Sequence, residues 1–302
     1  MTRRILLVTH PQRSQVPALV SQFAEQLGRH DIRVDVVPDA PLTEGIALGA
    51  DGATSTVAAE AAGAELVVVF GGDGTILRGA EIARPASVPL LGVNMGRVGF
   101  LAEAEREEIS WTVERIVARD YAVEERMTLE VDVIHDGQVI CRSWALNEAS
   151  VEKSARERLL ELTVEVDGRP LATWGCDGIV MATPTGSTAY AFSGGGPVVW
   201  PDVAALLVVP ISAHALFARP LVLGPDTRLA VEVVRHTSIT GVMWCDGRRT
   251  VDLPPGARIE VRRSSLPVRL ARLHASPFTD RLVAKFDLDV QGWRGPPDPS
   301  HS

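Results

Sequence analysis

The sequence predicts an α/β domain over residues 1–125 and a mainly antiparallel β-rich domain over residues 126–276. In the first part, apolar strand-like segments alternate with segments of helical periodicity, which is typical of parallel βαβ units. From about residue 126, short segments alternate between apolar and polar residues and are separated by Asp-Gly pairs, which favour β-hairpins. We therefore expect a Rossmann-like N-terminal domain followed by a sheet-rich domain.

The hydrophobic pattern predicts the elements of the first domain. Residues 16–27 place apolar side chains on one helical face, whereas 66–70 form a continuous apolar run typical of a buried strand. Residues 41–64 are rich in Ala, Gly and Thr, and we expect a mobile connection with a short helix there. Strands are predicted at 5–8, 32–37, 66–70 and 88–93, and helices at 16–27, 75–83 and 108–117.

Alternation and turn residues predict the second domain. Asp136-Gly137 and Asp167-Gly168 each separate two alternating runs, so each is predicted to form a hairpin turn. One helical stretch interrupts the strands near 185–193, and a helical motif returns at 280–286. The proline-rich tail at 295–300 is expected to be frayed. Strands are predicted at 129–134, 139–146, 160–166, 170–174, 229–234, 242–244, 259–261 and 268–273.

The composition limits the possible partners and location. The net charge is −8 and no long basic run is present, so neither nucleic acid nor an anionic membrane is a favoured partner. No segment approaches about 18 uninterrupted apolar residues, so no transmembrane helix is expected. The first apolar run ends at His10-Pro11, too early for a signal peptide. Cys141, Cys176 and Cys245 lack CxxC spacing, so we expect a soluble cytoplasmic protein.

The first candidate site is the glycine turn that follows the apolar run at 66–70. It reads Gly71-Gly72-Asp73-Gly74-Thr75. Successive backbone amides at such a turn, together with the start of a helix, can hold phosphate oxygens. The alternative is an ordinary strand-to-helix turn in which Asp73 only caps the helix. The turn is neither a Walker A loop nor a GxGxxG fingerprint, because the lysine of the first and the spacing of the second are absent.

Two further features carry polar groups that suit a nucleotide. Arg78 follows the glycine turn by one helical turn and either reaches a phosphate or lies solvated on the surface. Asn147-Glu148 ends an apolar strand and offers donors and acceptors for a sugar diol or a base edge. The alternative for this pair is a polar turn. The glycine-rich strand exit at 94–101 is expected to line the same cleft.

The third candidate site is the run 175–190. A carboxylate, Asp177, precedes a short apolar strand, and a turn of small hydroxyl and glycine residues then opens a helix. This arrangement favours a second anion-binding turn, and Tyr190 can stack on a base or ring. His214 is either a core or interface histidine or a catalyst. Asp246, in Cys245-Asp246-Gly247, is most simply part of a hairpin turn.

Taken together, these segments resemble the NAD kinase family, ATP- or polyphosphate-dependent, in its actinobacterial form. The resemblance spans nearly the whole chain, and the run Thr183–Tyr190 is its most specific part. The glycine turn alone is shared with lipid kinases. The matching segments are Gly71-Gly72-Asp73-Gly74-Thr75, Gly92–Leu101, Asn147-Glu148, Asp177-Gly178 and Thr183-Pro184-Thr185-Gly186-Ser187-Thr188-Ala189-Tyr190.

The resemblance implies a fold, an assembly and a set of site residues. Residues 277–302 would pack back on the first domain. The chain would form a homodimer or homotetramer whose NAD site borrows residues from a neighbouring subunit. Asp73 would be the catalytic carboxylate, Gly71, Gly72, Gly74 and Thr75 the phosphate-binding turn, and His214 and Asp246 would lie near the subunit interface. The NAD-binding residues would be Asp73, Gly74, Arg78, Asn147, Glu148, Arg158, Asp177, Thr188, Ala189, Tyr190, Ala191, Phe192 and Ser193.

The resemblance also implies a reaction. The enzyme would transfer the terminal phosphoryl group of ATP, or of inorganic polyphosphate, to the 2′-hydroxyl of the adenosine ribose of NAD, which forms NADP. Asp73 would act as general base. A divalent cation, Mg²⁺ or else Mn²⁺, would bind together with ATP. Two rival functions are a lipid kinase that uses the same glycine turn and a non-catalytic NAD(H) sensor that keeps the pocket.

Overall fold

The computed structural model describes residues 3–9, 16–37, 46–47, 60–96, 99–155, 158–236, 239–274 and 277–290. Of the predicted connection at 41–64, only 46–47 and 60–64 belong to these ranges, and the predicted frayed tail at 295–300 lies outside them. No helix in the described ranges is long and apolar enough to span a membrane.

The first part of the chain alternates strands with helices, as the hydrophobic pattern predicts. Two short 3₁₀ turns also occur, at Arg84–Ala86 and Arg106–Glu108. In chain order the elements are β1 (Arg3–Thr9), α1 (Val16–Gly28), β2 (Ile32–Val36), β3 (Ile46–Ala47), β4 (Leu66–Gly71), α2 (Asp73–Ala83), β5 (Leu90–Asn94), β6 (Ala104–Glu105), α3 (Ile109–Ala118) and β7 (Ala122–Arg126).

The second part consists mainly of strands. The predicted helical stretch is a 3₁₀ turn at Thr185–Thr188 followed by a short α-helix. The elements are β8 (Leu129–His135), β9 (Gln138–Ala145), β10 (Glu148–Lys153), β11 (Leu160–Val166), β12 (Arg169–Cys176), β13 (Gly178–Ala182), α4 (Tyr190–Ser193), β14 (Leu206–Ile211), β15 (Leu221–Leu223), β16 (Leu229–Val233), β17 (Gly241–Cys245), β18 (Arg249–Leu253), β19 (Arg258–Arg263), β20 (Val268–Arg272) and α5 (Phe278–Phe286).

The first sheet has the strand order β2-β1-β4-β5-β20-β7, and β6 also pairs with β5. All its pairings are parallel except that of β7 with β20. Every residue of β4 is buried, as expected for a parallel strand covered on both faces. Phe23 of α1 packs edge-to-face on Phe70 at 5.2 Å between ring centroids. The range 126–276 thus supplies one strand, β20, to this sheet.

Two further sheets form the β-rich part, in the orders β15-β14-β13-β10-β17-β18-β3 and β12-β11-β16-β19-β8-β9. Their pairings are antiparallel apart from that of β18 with β3. Side chains from both sheets share one buried core, which includes Trp174. The predicted fold class, an α/β domain plus a mainly antiparallel β-rich domain, is confirmed.

Asp-Gly turns set the hairpins of the β-rich part. Three of them have positive φ at both residues, 49–55° at Asp and 62–76° at Gly, as a type I′ turn requires. The predicted hairpins at Asp136-Gly137 and Asp167-Gly168 are confirmed, and Asp246-Gly247 lies in the three-residue loop that joins β17 to β18. Several strands were not predicted: β3, β6, β7, β10, β14, β15 and β18.

The C-terminal helix α5 contacts both parts of the chain. Its Phe278 and Phe286 lie 5.9 and 5.8 Å from Phe100 of the first part, measured between ring centroids. Phe286 also lies 4.7 Å from the ring of Phe192 in α4. Arg281 donates hydrogen bonds to the backbone oxygens of Phe100 and Ala102. The helix therefore ties the segment after β5 to α4 of the β-rich part.

Candidate active site

Asp73 lies at the carboxyl end of β4, at the first position of α2. Its two carboxylate oxygens accept hydrogen bonds from the backbone amides of Phe100 and Leu101, each at 3.1 Å. A Cβ added at Gly99 would overlap this carboxylate, with its Cγ only 2.9 Å away. The N-cap of α2 is Gly72, and no side chain caps the helix. The alternative in which Asp73 only caps the helix is therefore wrong, and a neighbouring segment fixes the orientation of its carboxylate.

The glycine turn brings the backbone close to the start of α2. A Cβ at Gly71 would run into the side chain of Thr75, which is buried. The amide of Thr75 already donates to the backbone oxygen of Gly72 at 2.9 Å. Amides of the first helical turn have no partner within the helix, so those at Asp73 and Gly74 suit an anion, and Gly74 is exposed.

Arg78, one turn further along α2, is buried with 9% of its surface exposed. The alternative of a solvated surface arginine is therefore wrong.

Asn147 and Glu148 are held in place by the carboxylate of Asp246. The Asp246 Oδ1 accepts the amides of Asn147 at 2.7 Å and Glu148 at 3.3 Å, and Oδ2 accepts the amide of Leu146 at 3.0 Å. Arg249 donates to the same Oδ2 at 2.8 Å. Burial raises the pKa of Asp246, while Arg249 and the amides act in the opposite direction. Both Asn147 and Glu148 are buried, so neither belongs to a solvated polar turn.

A cavity of about 390 Å³ opens beside Glu148. Glu148, Ser150 and Glu152 alternate along β10 and therefore share one face of the sheet. Burial raises the pKa of Glu148 to about 8, and the negative charge of Asp246 adds to this effect. Within the described part of the chain, Glu148 Oε2 is buried without a hydrogen-bond partner. A protonated Glu148 would be a hydrogen-bond donor, which a ligand acceptor could satisfy. The cavity is lined by Glu148, Ser150, Glu152, Tyr190, Trp244 and Gly247.

The Thr183–Tyr190 run lies directly against Asn147. Thr183 donates from its hydroxyl to the oxygen of Leu146 at 2.5 Å and from its amide to the oxygen of Asn147 at 2.9 Å. A Cβ at Gly186 would overlap the backbone of Asn147, whose Cα would be 2.8 Å away. The structure thus brings together two predicted site segments, Asn147-Glu148 and Thr183–Tyr190. Asn147 and Thr183 are 36 positions apart in sequence.

The side chains at the end of the run, and in the short helix that follows, differ in their exposure to solvent. Thr188, Ala189 and Tyr190 are half-buried, whereas Phe192 and Ser193 are exposed. Burial raises the pKa of the Tyr190 hydroxyl, and Glu152 and Glu148 add to the effect. Ala191 is buried in a small apolar cluster between α4 and its sheet. The Ala191 side chain therefore serves packing.

Asp177 and His214 lie away from Asn147 within one chain. Asp177 precedes β13 and Thr183 follows it, so the two are separated by the length of a five-residue strand, about 16 Å. Lys153 Nζ lies 2.5 Å from Asp177 Oδ1, and this contact lowers the pKa of Asp177. The amide of His214 bonds to the oxygen of Gly175 at 2.9 Å. His214 is exposed, so it is not a core histidine, and Arg158 is also exposed.

Two features of the site were missed from sequence. The Asp246 turn was predicted only as a hairpin or interface residue, although its carboxylate organises Leu146–Glu148. The amide donors to Asp73 were not predicted individually. The signal that locates them is the glycine-rich exit at 94–101, which was expected to line the cleft, and it contains Gly99.

Comparisons with known proteins cover both parts of the chain. The model of the ATP-NAD kinase N-terminal domain matches residues 5–121, and that of the ATP-NAD kinase C-terminal domain matches residues 146–273. The NAD kinase of Leifsonia xyli subsp. xyli is 57% identical over 302 residues, which covers 97% of each chain. NAD kinase 2 of Streptomyces coelicolor is 67% identical over 235 residues, which covers 78% of each chain.

A solved structure extends the comparison to the fold. The crystal structure of yeast NADH kinase complexed with NADH superposes with a TM-score of 0.79 at 23% identity, and the match covers 95% of this chain and 87% of the yeast chain. This likeness concerns the fold alone. The two domain matches and the relatives above 50% identity show that the chain belongs to the ATP-NAD kinase family, the enzymes that phosphorylate NAD.

Proposed function

We propose that the chain transfers the terminal phosphoryl group of ATP to the 2′-hydroxyl of the adenosine ribose of NAD, with Asp73 as general base. The observation that carries this proposal is the Asp73 carboxylate, fixed by two amides beside the glycine turn. A sugar hydroxyl is a weak nucleophile at neutral pH, so a positioned base assists its attack. Each carboxylate oxygen keeps a second lone pair for the hydroxyl proton.

The glycine turn is proposed to bind phosphate. The first amides of α2 point outward at a helix N-terminus, where anions are favoured. Much of the rate gain in phosphoryl transfer comes from alignment and charge neutralisation. The exposed Gly74 leaves this turn open to a ligand. Gly71, Gly72, Gly74 and Thr75 would form the phosphate-binding turn.

A divalent cation, Mg²⁺ or else Mn²⁺, is proposed to enter with ATP. Mg²⁺ in nucleotide sites commonly takes one or two protein carboxylates, and substrate phosphates and water complete its shell. The free lone pairs of Asp73 fit this requirement at the edge of the turn. The cation would neutralise charge on the donor phosphates. The protein itself would orient the Asp73 carboxylate, through the amides of Phe100 and Leu101.

NAD is proposed to bind along Asn147, Glu148 and the Thr188–Ser193 segment. A buried amide side chain and a protonated carboxyl together offer donors and acceptors to ribose hydroxyls and base edges. Asn147→Ala should therefore weaken NAD binding by roughly 10-fold or more, since a lost hydrogen bond to a buried polar group costs about 1–3 kcal/mol. Isothermal titration with NAD measures the change. An unchanged affinity would remove Asn147 from the site.

Self-association is proposed to complete the NAD site. Asp177 and His214 lie apart from Asn147 in one chain, so a second copy is the simplest way to bring such groups to the ligand. Leu216, beside His214, is fully exposed, and Phe217 is 51% exposed. Exposed apolar side chains of this kind mark protein contacts. The homodimer and the homotetramer both meet this requirement.

A cytoplasmic location is also proposed. The cysteines are free and buried, which fits a reducing compartment.

One incubation tests the proposed reaction against its rivals. The purified chain is mixed with ATP, MgCl₂ and NAD, and NADP is detected with an NADP-specific dehydrogenase. The proposal expects NADP and ADP in equal amounts. A lipid kinase would instead phosphorylate diacylglycerol or a sphingoid base in a parallel sample, and a sensor would bind NAD without consuming ATP. Inorganic polyphosphate in place of ATP tests the second donor.

A further inference from the structure

A chain of ion pairs joins α2, which carries Asp73, to the turn that holds Asn147. Glu81 of α2 accepts hydrogen bonds from Arg248 at 3.1 and 3.3 Å, and its Oε1 lies 3.2 Å from Arg249 Nε. Arg249 then bonds to Asp246 at 2.8 Å. Charge contacts therefore run without a break from the helix of the first domain to the hairpin of the second.

The chain of ion pairs is buried along its length. The side chains of Arg249 and Asp246 are each 2% exposed, and that of Glu81 is 9% exposed. Arg249 also lies over the ring of Trp144 at 4.5 Å, and Arg84 lies over a face of the same ring at 4.3 Å. Burial, and then the charge of Arg249, lowers the pKa of Arg84 to about 10. Arg249, at the middle of the ion-pair chain, is thus packed against Trp144.

Buried charges of this kind are an expensive way to hold a fold together, because apolar residues of similar volume are often as stable. Their advantage is directional, since a guanidinium fixes the angle between its partners. Here one end of the ion-pair chain is Asp246, whose carboxylate accepts hydrogen bonds from three consecutive amides at Leu146–Glu148. The other end is Glu81, eight residues after Asp73 on one rigid helix, a rise of about 12 Å.

We propose that Glu81, Arg249 and Asp246 are positioning residues, which set the Asn147–Glu148 segment at a fixed place relative to Asp73. The inference rests on the proposed role of Asn147 in NAD binding. In this arrangement Asn147 binds the acceptor ribose, and Asp73 is the base. The ion-pair chain fixes the distance between them, because Asp246 binds the Asn147 segment and Glu81 lies on the same helix as Asp73. None of the three residues needs to touch the substrate.

Variants at Arg249 and Glu81 test the proposal. Arg249→Lys keeps the charge but cannot bridge two carboxylates in a fork, and Glu81→Gln removes the charge at the other end. Each should weaken NAD binding and raise KM for NAD by about 10-fold, a usual coupling within one ion-pair network. KM for ATP should change less than twofold. The double variant should be no worse than the poorer single variant, because both changes break the same chain.

The matched control is Arg258→Lys. Arg258 is also paired with carboxylates, Glu165 at 2.7 Å and Glu260 at 3.0 Å, but it lies on β19 and contacts neither α2 nor Asp246. This control should leave KM for NAD unchanged. Thermal unfolding of every variant, measured alongside titration with NAD, separates loss of fold from loss of position.

Two outcomes would overturn the inference. One is a lower melting temperature in Arg249→Lys with an unchanged NAD affinity of the folded fraction, which would make the ion pairs purely structural. The other is a double variant whose losses multiply, which would make the two residues independent. If Arg249→Lys does not fold, Glu81→Gln alone decides.

Asn147→Ala is run in parallel. If it leaves NAD binding intact, the proposed site itself is wrong, whereas a loss in Asn147→Ala alone contradicts only the positioning role.

Discussion

The unusual carboxyl of Glu148 leads to a prediction about pH and stability. Burial raises its pKa from 4.5 to about 8, so the folded protein binds this proton more tightly than the unfolded chain does. The resulting stabilisation is complete below about pH 4.5 and is lost as the pH rises through about 8. Glu148→Gln replaces the protonated carboxyl with a neutral side chain of similar shape and removes this dependence.

The size of the effect follows from the two pKa values. One pKa unit corresponds to about 1.4 kcal/mol, and the part of the shift that is sampled between about pH 6 and pH 9 amounts to roughly 2–3 kcal/mol. The wild-type chain should therefore lose about that much more stability than Glu148→Gln over this range. At about pH 9 the variant should be the more stable of the two.

Urea unfolding at both pH values measures the difference directly. The comparison between wild type and variant cancels the titration of other groups, including the histidines. Glu260→Gln serves as the control for a Glu-to-Gln substitution elsewhere, because Glu260 is about 41% exposed on its side chain and does not line the cavity beside Glu148. Parallel pH profiles for wild type and Glu148→Gln would refute the reasoning, since they would mean that the buried carboxyl ionises as it does in the unfolded chain.

Two further predictions concern glycines with close neighbours in the site. Gly99→Ala should push the Asp73 carboxylate aside and lower kcat by about 100-fold, as expected for a misplacement of about 1 Å. The far-ultraviolet circular dichroism should stay unchanged, and a normal kcat would show that the carboxylate tolerates the shift. Gly186→Ala should displace Asn147, cost about 1–3 kcal/mol in urea unfolding and raise KM for NAD, and an unaltered KM would separate Gly186 from the NAD site.

Local signals predicted a large part of the fold. The Asp-Gly hairpins were predictable because the positive φ of a type I′ turn depends on two adjacent residues. The glycine turn at the end of β4 was predictable for a similar reason, because a buried apolar run stops at two glycines. Its geometry depends on neighbours within five residues.

Contacts between distant segments were not predictable in this way. β20 joins the first sheet after more than 140 intervening residues and pairs with β7 and β5, so no local pattern marks its partner. β14 is a continuous apolar run without alternation, which periodicity alone does not assign. The role of Asp246 depends on amides about 100 positions away, and only the folded chain brings them together.

The central claim is that Asp73 is the base that accepts the proton of the NAD 2′-hydroxyl. Asp73→Asn keeps the side-chain size but removes the basic carboxylate, and the measurement is kcat for NADP formation together with NAD affinity by titration. The account predicts a loss in kcat of roughly 10²–10⁴-fold, the usual range for a lost general base, with NAD binding largely kept. Near-normal turnover in a folded, NAD-binding Asp73→Asn enzyme would contradict it.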